Sequence, residues 1–157
     1  RPGHIVNTSS PQGIIACGGV AAYCAAKFGV VGMSEALRQE LEHLDVGVSV
    51  LCPGVVQTNL ASSTNRLVGL PPVDMPEGYG MSPAIVGQQV IDAIRANELY
   101  IITHGAYIVP LAQRHARIQA AAAKMPISPI YNPHLPLPGT PEFAAMKAAD
   151  SAPAGEQ

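Results

Sequence analysis

The sequence predicts an α/β domain built on a short parallel sheet. Two apolar runs of strand length, "HIVNTSS" at 4–10 and "VGVSVLCPG" at 46–54, flank a long stretch whose apolar residues recur at steps of three and four. Strand, helix and strand in that order imply a right-handed crossover between parallel neighbours.

Each element follows from its residues. The first run is β-branched and apolar and closes in small hydroxyl residues, so a strand over 4–9 opens into a loop at its carboxyl end. A helix over 21–43 follows, with Ala22, Ala26, Val30, Met33, Leu37 and Leu41 as its apolar stripe and Glu35, Arg38, Glu40 and Glu42 on other faces. The second run is continuously apolar, as suits a strand buried on both faces, and Pro53 and Gly54 end it. Residues 57–80 show no strong period and many Ser, Asn, Pro and Gly, with Leu60, Leu67, Val68, Leu70 and Val73 interspersed. Such a segment reads as a functional lid. Ser82 followed by Pro83 marks a helix start, with Val86, Val90, Ile91 and Ile94 as its stripe. "LYIIT" at 99–103 is a third buried strand, and 106–123 an Ala-rich last helix carrying Arg114 and Arg117. Prolines recur beyond Lys124, so the expected organisation is one domain over 1–123, with a lid at about 57–81, and an extended or disordered tail over 124–157. The first strand has no sequence ahead of it to pair with, and a bare apolar edge is normally covered.

Composition narrows the function. The 157 residues are 48% hydrophobic and 13% charged, as expected for a globular, well-buried domain. A net charge of −2 with nine scattered Lys and Arg argues against a nucleic-acid partner. No run reaches the length of a membrane span. Cys17, Cys24 and Cys52 match no zinc spacing and sit among apolar neighbours, which points to small buried hydrophobes in a reducing cytoplasm. His104, His115 and His134 fall on separate elements, so no metal is expected, and Ser10 lies in no GxSxG turn of a hydrolase.

One constellation carries chemistry. Tyr23 and Lys27 stand four apart near the start of the first helix and share a face, beside the loop that follows strand one. An ammonium group beside a phenol favours the phenolate, which makes tyrosine a usable acid or base. A loop hydroxyl, with Ser10 the candidate, can hydrogen-bond the oxygen that Tyr23 protonates. Blander roles stand beside these: a half-buried tyrosine with a snorkelling lysine, Ser10 satisfying turn backbone, and Thr58 capping the segment after it.

The run Asn7-Thr8-Ser9-Ser10, then Tyr23-x-x-x-Lys27, then "PGVVQT" at 53–58 resembles the second half of a short-chain dehydrogenase/reductase. The resemblance covers about residues 3–104 and implies the last three strands, with flanking helices, of a Rossmann-type doubly wound sheet. It implies catalytic roles for Ser10, Tyr23 and Lys27. Tyr23 would be acid in carbonyl reduction and base in alcohol oxidation, Ser10 would polarise the reacting oxygen, and Lys27 would also hold the nicotinamide ribose. It further implies an NAD or NADP pocket bordered by Tyr23 and Lys27 and shaped by Pro53 and Gly54, with Val56 and Thr58 near the carboxamide, a structural Asn7, and a homodimer or homotetramer packed through the first helix. The lid leucines suggest an apolar small-molecule substrate. The family's opening TGxxxGxG phosphate loop is absent from these residues, so the expectation is the carboxyl half of an oxidoreductase, inactive alone. The competing expectation is an inactive truncated product or interaction module keeping relic catalytic residues.

Overall fold

The computed structural model describes residues 3–67, 71, 76, 78–125, 136, 140–142 and 145. The chain divides into two compact units, Arg1–Ala116 and Arg117–Gln157. In order come β1 (Gly3–Thr8), α1 (Ala21–Glu40), β2 (Val46–Cys52), α2 (Leu60–Leu67), α3 (Pro83–Ala96), β3 (Tyr100–Ile102) and α4 (Ile108–Ala122). The strands form one open parallel sheet in the order β1-β2-β3, with Asn7 opposite Val50 and Cys52 opposite Ile102. The predicted α/β class and parallel pairing therefore hold. In the second unit, Lys124 N–H donates to Ala121 O at 3.3 Å and closes the end of α4. Most of the expected tail lies outside the described residues.

β2 lies between two neighbours and is the most buried element, which is why it reads as a run apolar but for Ser49. Its Val50 and Cys52 meet Ile14 and Val31, with Ile15, Val30 and Leu111 packed around them. Ser49, of opposite parity, is fully buried yet satisfied: its hydroxyl donates to Glu98 O at 2.5 Å, and its oxygen lies 2.7 Å from His4 Nε2. This agrees with the rule that buried polar groups find partners.

α1 is rotated from the expected orientation. It buries Cys24, Val31 and Ser34, while Ala22, Ala26 and Met33 of the predicted stripe are exposed. In a helix made largely of Ala and Gly the apolar pattern hardly separates one face from another, and specific ties decide the rotation. Asn7 Nδ2 donates to Ser34 Oγ at 3.1 Å, and Ser34 in turn donates to Val30 O. Arg38 donates to Val48 O at 2.9 Å and Asn97 O at 3.0 Å. The helix stops at Glu40, short of the predicted 43, because a tight turn over Glu42–Leu44 and a left-handed Asp45 (φ 52°) redirect the chain into β2.

The segment expected to be an irregular lid contains α2. Eight residues, half of them Ser, Thr and Asn, are too few and too polar to show a stripe. The base of this segment is pinned: Gln57 N–H donates to Met81 O and Met81 N–H to Val55 O, both at 2.9 Å. Ser82 caps α3 as expected, accepting from Ala84 N at 3.3 Å ahead of Pro83. Among the described residues no helix is long and apolar enough to cross a membrane.

Candidate active site

The carboxyl ends of β1 and β2 and the first turns of α1 surround a cleft of about 900 Å³. Open α/β sheets bind ligands in this position. Ser10, Tyr23, Lys27, Pro53, Gly54, Val56 and Thr58, all singled out from sequence, line it together.

The loop leaving β1 is fixed from beneath. Ser9 N–H donates to Leu51 O at 2.7 Å, and the buried Ser9 hydroxyl donates to Lys27 O at 2.9 Å. Gly13 makes this approach sterically feasible: a Cβ there would overlap Ser9 Oγ and lie 2.7 Å from Lys27 O. Ser10 is buried at the head of the Pro11–Gly13 turn, where its oxygen accepts from Gln12 N at 3.4 Å and its proton goes to Gln12 Oε1 at 2.7 Å. The blander reading of Ser10 is thus met as well, because the hydroxyl serves its own turn and still borders the cleft.

Tyr23 is 45% exposed, and Lys27 Nζ stands 5.7 Å from its ring centroid. That ammonium also donates to Thr8 O at 3.4 Å, so one of its three protons is engaged there. The turn after β2 is held through its glycine. Gly54 N–H donates to Thr103 Oγ1 at 3.0 Å, Thr103 Oγ1 lies 2.6 Å from His104 Nδ1, and a Cβ on Gly54 would come within 2.6 Å of that ring nitrogen. Thr58 Oγ1 accepts from Leu60 N at 3.3 Å, the capping role expected as its alternative, while facing the cleft. Beneath the cleft, burial pushes the Cys52 thiol up, against opposing influences from Ser10, Ser9 and Lys27, so it stays protonated and inert at neutral pH.

Gln12 and Tyr107 also line the cleft and were not anticipated. Gln12 belongs to no motif. Tyr107 lies in a separate turn, Gly105–Tyr107, ahead of α4, within the range the sequence assigned to the last helix. Its place just past the end of a strand was the available signal. Cys17 is exposed, contrary to the expectation of a buried hydrophobe, whereas Cys24 and Cys52 are buried. No metal-binding group of three side chains occurs among the described residues.

An open parallel sheet with a cleft across its strand ends defines the class as a Rossmann-like α/β protein. The family model of the short chain dehydrogenases matches residues 1–68. The chain belongs to the short-chain dehydrogenase/reductase family. It is 36% identical over 93 residues to the uncharacterized oxidoreductase YbbO of Escherichia coli, covering 59% of this chain and 34% of that protein. It is 30% identical over 134 residues to the CLA biosynthesis dehydrogenase/reductase of Lactiplantibacillus plantarum, covering 73% and 47%. Among solved structures it resembles a short chain dehydrogenase/reductase of Burkholderia phymatum in complex with NAD, with a TM-score of 0.61 and 27% identity, over 82% of this chain and 52% of that one. The chain thus spans about a third to a half of the length of these curated relatives.

Proposed function

We propose that these residues form the catalytic and substrate-facing part of an NAD(P)-dependent oxidoreductase that moves a hydride between nicotinamide and a carbonyl or secondary alcohol of an apolar small molecule. The observation that carries this reading is the convergence of Ser10, Tyr23 and Lys27 in one cleft with the Pro53–Thr58 turn. The complex of the Burkholderia phymatum relative with NAD supports a nicotinamide cofactor.

The cleft suits the nicotinamide end of such a cofactor. Its 900 Å³ lies within the range of sites that hold ligands of this size, and Lys27 keeps two ammonium protons for a ribose hydroxyl. Thr58 Oγ1 accepts from Leu60 N, which leaves its proton for a carboxamide oxygen, and the backbone at Pro53, Gly54 and Val56 forms the adjoining wall. The hydride is supplied or taken by the nicotinamide when it is bound. In reduction Tyr23 donates its phenolic proton to the carbonyl oxygen, and Ser10 donates a hydrogen bond to the same oxygen by turning its hydroxyl from Gln12 Oε1. The Lys27 ammonium stabilises the phenolate that remains. In oxidation the proton path reverses, with Tyr23 as base. Leu60, Val86 and Tyr107 give the cleft its apolar side. Residues 68–70, 72–75 and 77 of the expected lid lie outside the described residues. In the whole enzyme the exposed Ala22, Ala26 and Met33 of α1 support packing of that helix against its twin in a dimer or tetramer.

Replacing Tyr23 with Phe in the native enzyme tests the reading. Turnover should fall by at least about 10²-fold, the low end of a general acid's contribution, while NADH affinity stays nearly unchanged. Retained turnover would remove Tyr23 from the chemistry, and joint loss of turnover and NADH binding would reassign it to the cofactor.

A further inference from the structure

Two of the three cysteines meet beside the cleft. The loop from the Pro11–Gly13 turn to α1 carries Cys17, whose thiol is exposed and rests 3.6 Å from Gly18 O of its own backbone. Cys24, in the first turn of α1, is buried against that same residue: Cys17 N–H points at Cys24 Sγ at 3.5 Å, and the Cys24 thiol points back at Cys17 O at 3.8 Å. The Cα of Cys17 is bonded to that nitrogen at about 1.46 Å, so it lies within about 5 Å of the Cys24 sulfur. The loop has room to adjust, because a Cβ at Gly18 or Gly19 would meet nothing within 4 Å, and Gly19 already sits at φ 83°.

We infer that Cys17 and Cys24 are a thiol-disulfide pair, with Cys17 the attacking thiol and Cys24 the resolving one, oxidised by small disulfides of the glutathione type. This assignment is independent of the proposed hydride chemistry. Exposure puts Cys17 first and burial keeps Cys24 from external disulfides until Cys17 has reacted. The Cys17 thiolate attacks one sulfur of the small disulfide, whose S–S bond breaks and releases one thiol, leaving a mixed disulfide on Cys17. Rotation about Cys17 χ1, away from Gly18 O, turns that sulfur toward Cys24. The Cys24 thiolate then attacks the Cys17 sulfur, and the second small thiol leaves. The two protein thiols lose two electrons and two protons, and the small disulfide gains both. The product links the loop to the helical turn that carries Tyr23, so oxidation reaches the cleft through the neighbour of its tyrosine. Cys52, deep at the end of β2, takes no part.

The test is incubation of the reduced 157-residue chain with oxidised glutathione under native conditions, followed by blocking of free thiols and mass mapping of tryptic peptides. The peptide ending at Lys27 contains both cysteines and should appear lighter by two hydrogens, with free thiols falling from three to one. Cys24→Ser should hold a lasting glutathione adduct on Cys17, and Cys17→Ser should leave Cys24 unreacted. A persistent adduct on Cys17 in the unaltered chain, a bridge through Cys52 or between two chains, or no reaction at all would overturn the pairing. Reaction of Cys24 in the Cys17→Ser chain would overturn the assigned order.

Discussion

Gly13 shows how far one residue controls the candidate site, because the loop bearing Ser10 reaches α1 only through the space its missing side chain leaves. Gly13→Ala should destabilise the fold by about 1–3 kcal/mol, the usual cost of overpacking, read as a lower midpoint in urea. An unchanged midpoint would mean that the Ser9 contact with Lys27 yields without cost. Tyr100 offers a test by pH. Partial burial of its ring, and after that the Glu35 carboxylate that accepts its hydroxyl at 2.5 Å, push the Tyr100 phenol up to about 12 from its ordinary 10.0. The folded state therefore favours the protonated phenol. That stabilisation is complete below the unfolded value of about 10 and is lost as pH climbs from 10 toward 12. Tyr100→Phe should lower stability near pH 8 and flatten its decline between pH 10 and 12. Equal slopes for the two proteins would show that the Glu35 contact contributes nothing, a fair test for a side chain 43% exposed, where solvent screens the interaction.

At the scale of elements, Arg38 links α1, β2 and the end of α3 by donating to two carbonyls from different segments. A hydrogen bond from a charged group contributes about 1.5–3 kcal/mol, and Arg38→Met removes both, so a loss of about 3–6 kcal/mol is expected. Thermal unfolding would reveal it, and a loss below about 0.5 kcal/mol, the range of ordinary surface substitutions, would reduce the clamp to a surface contact. The strands, the Ser82–Pro83 start of α3 and the grouping of Ser10, Tyr23 and Lys27 were legible in sequence, because continuous apolar runs, a capping pair and a motif of fixed spacing are local signals. The rotation of α1 was not, since it depends on the long-range ties from Asn7 and Arg38, which no periodicity records. α2 stayed hidden for lack of an apolar stripe. Gln12 and Tyr107 stayed hidden because their place in the cleft comes from turns that only the folded chain brings together.

At the scale of the whole molecule, the sheet ends at β1, which pairs with β2 on one side only among the described residues, and the cleft opens along the strand ends. In the proposed reading the residues that line it face a ribose, a carboxamide and an apolar substrate. These 157 residues hold no TGxxxGxG loop with which to bind a pyrophosphate. Backbone donors at such a loop contribute about 1.5–3 kcal/mol for each bond to a charged oxygen. Two missing bonds therefore cost at least about 3 kcal/mol, which is roughly 10²-fold in affinity. The 157-residue chain should accordingly bind NADH at least about 10²-fold more weakly than the Burkholderia phymatum relative crystallised with NAD. Titrating NADH fluorescence against both proteins in one buffer measures the ratio, and nicotinamide mononucleotide, which has no pyrophosphate, should narrow it. A chain that held NADH as tightly as the relative would show that these residues grip the phosphates by donors other than a glycine-rich loop. An undiminished gap with the mononucleotide would place the weakness in the nicotinamide end of the cleft, at Lys27 and Thr58.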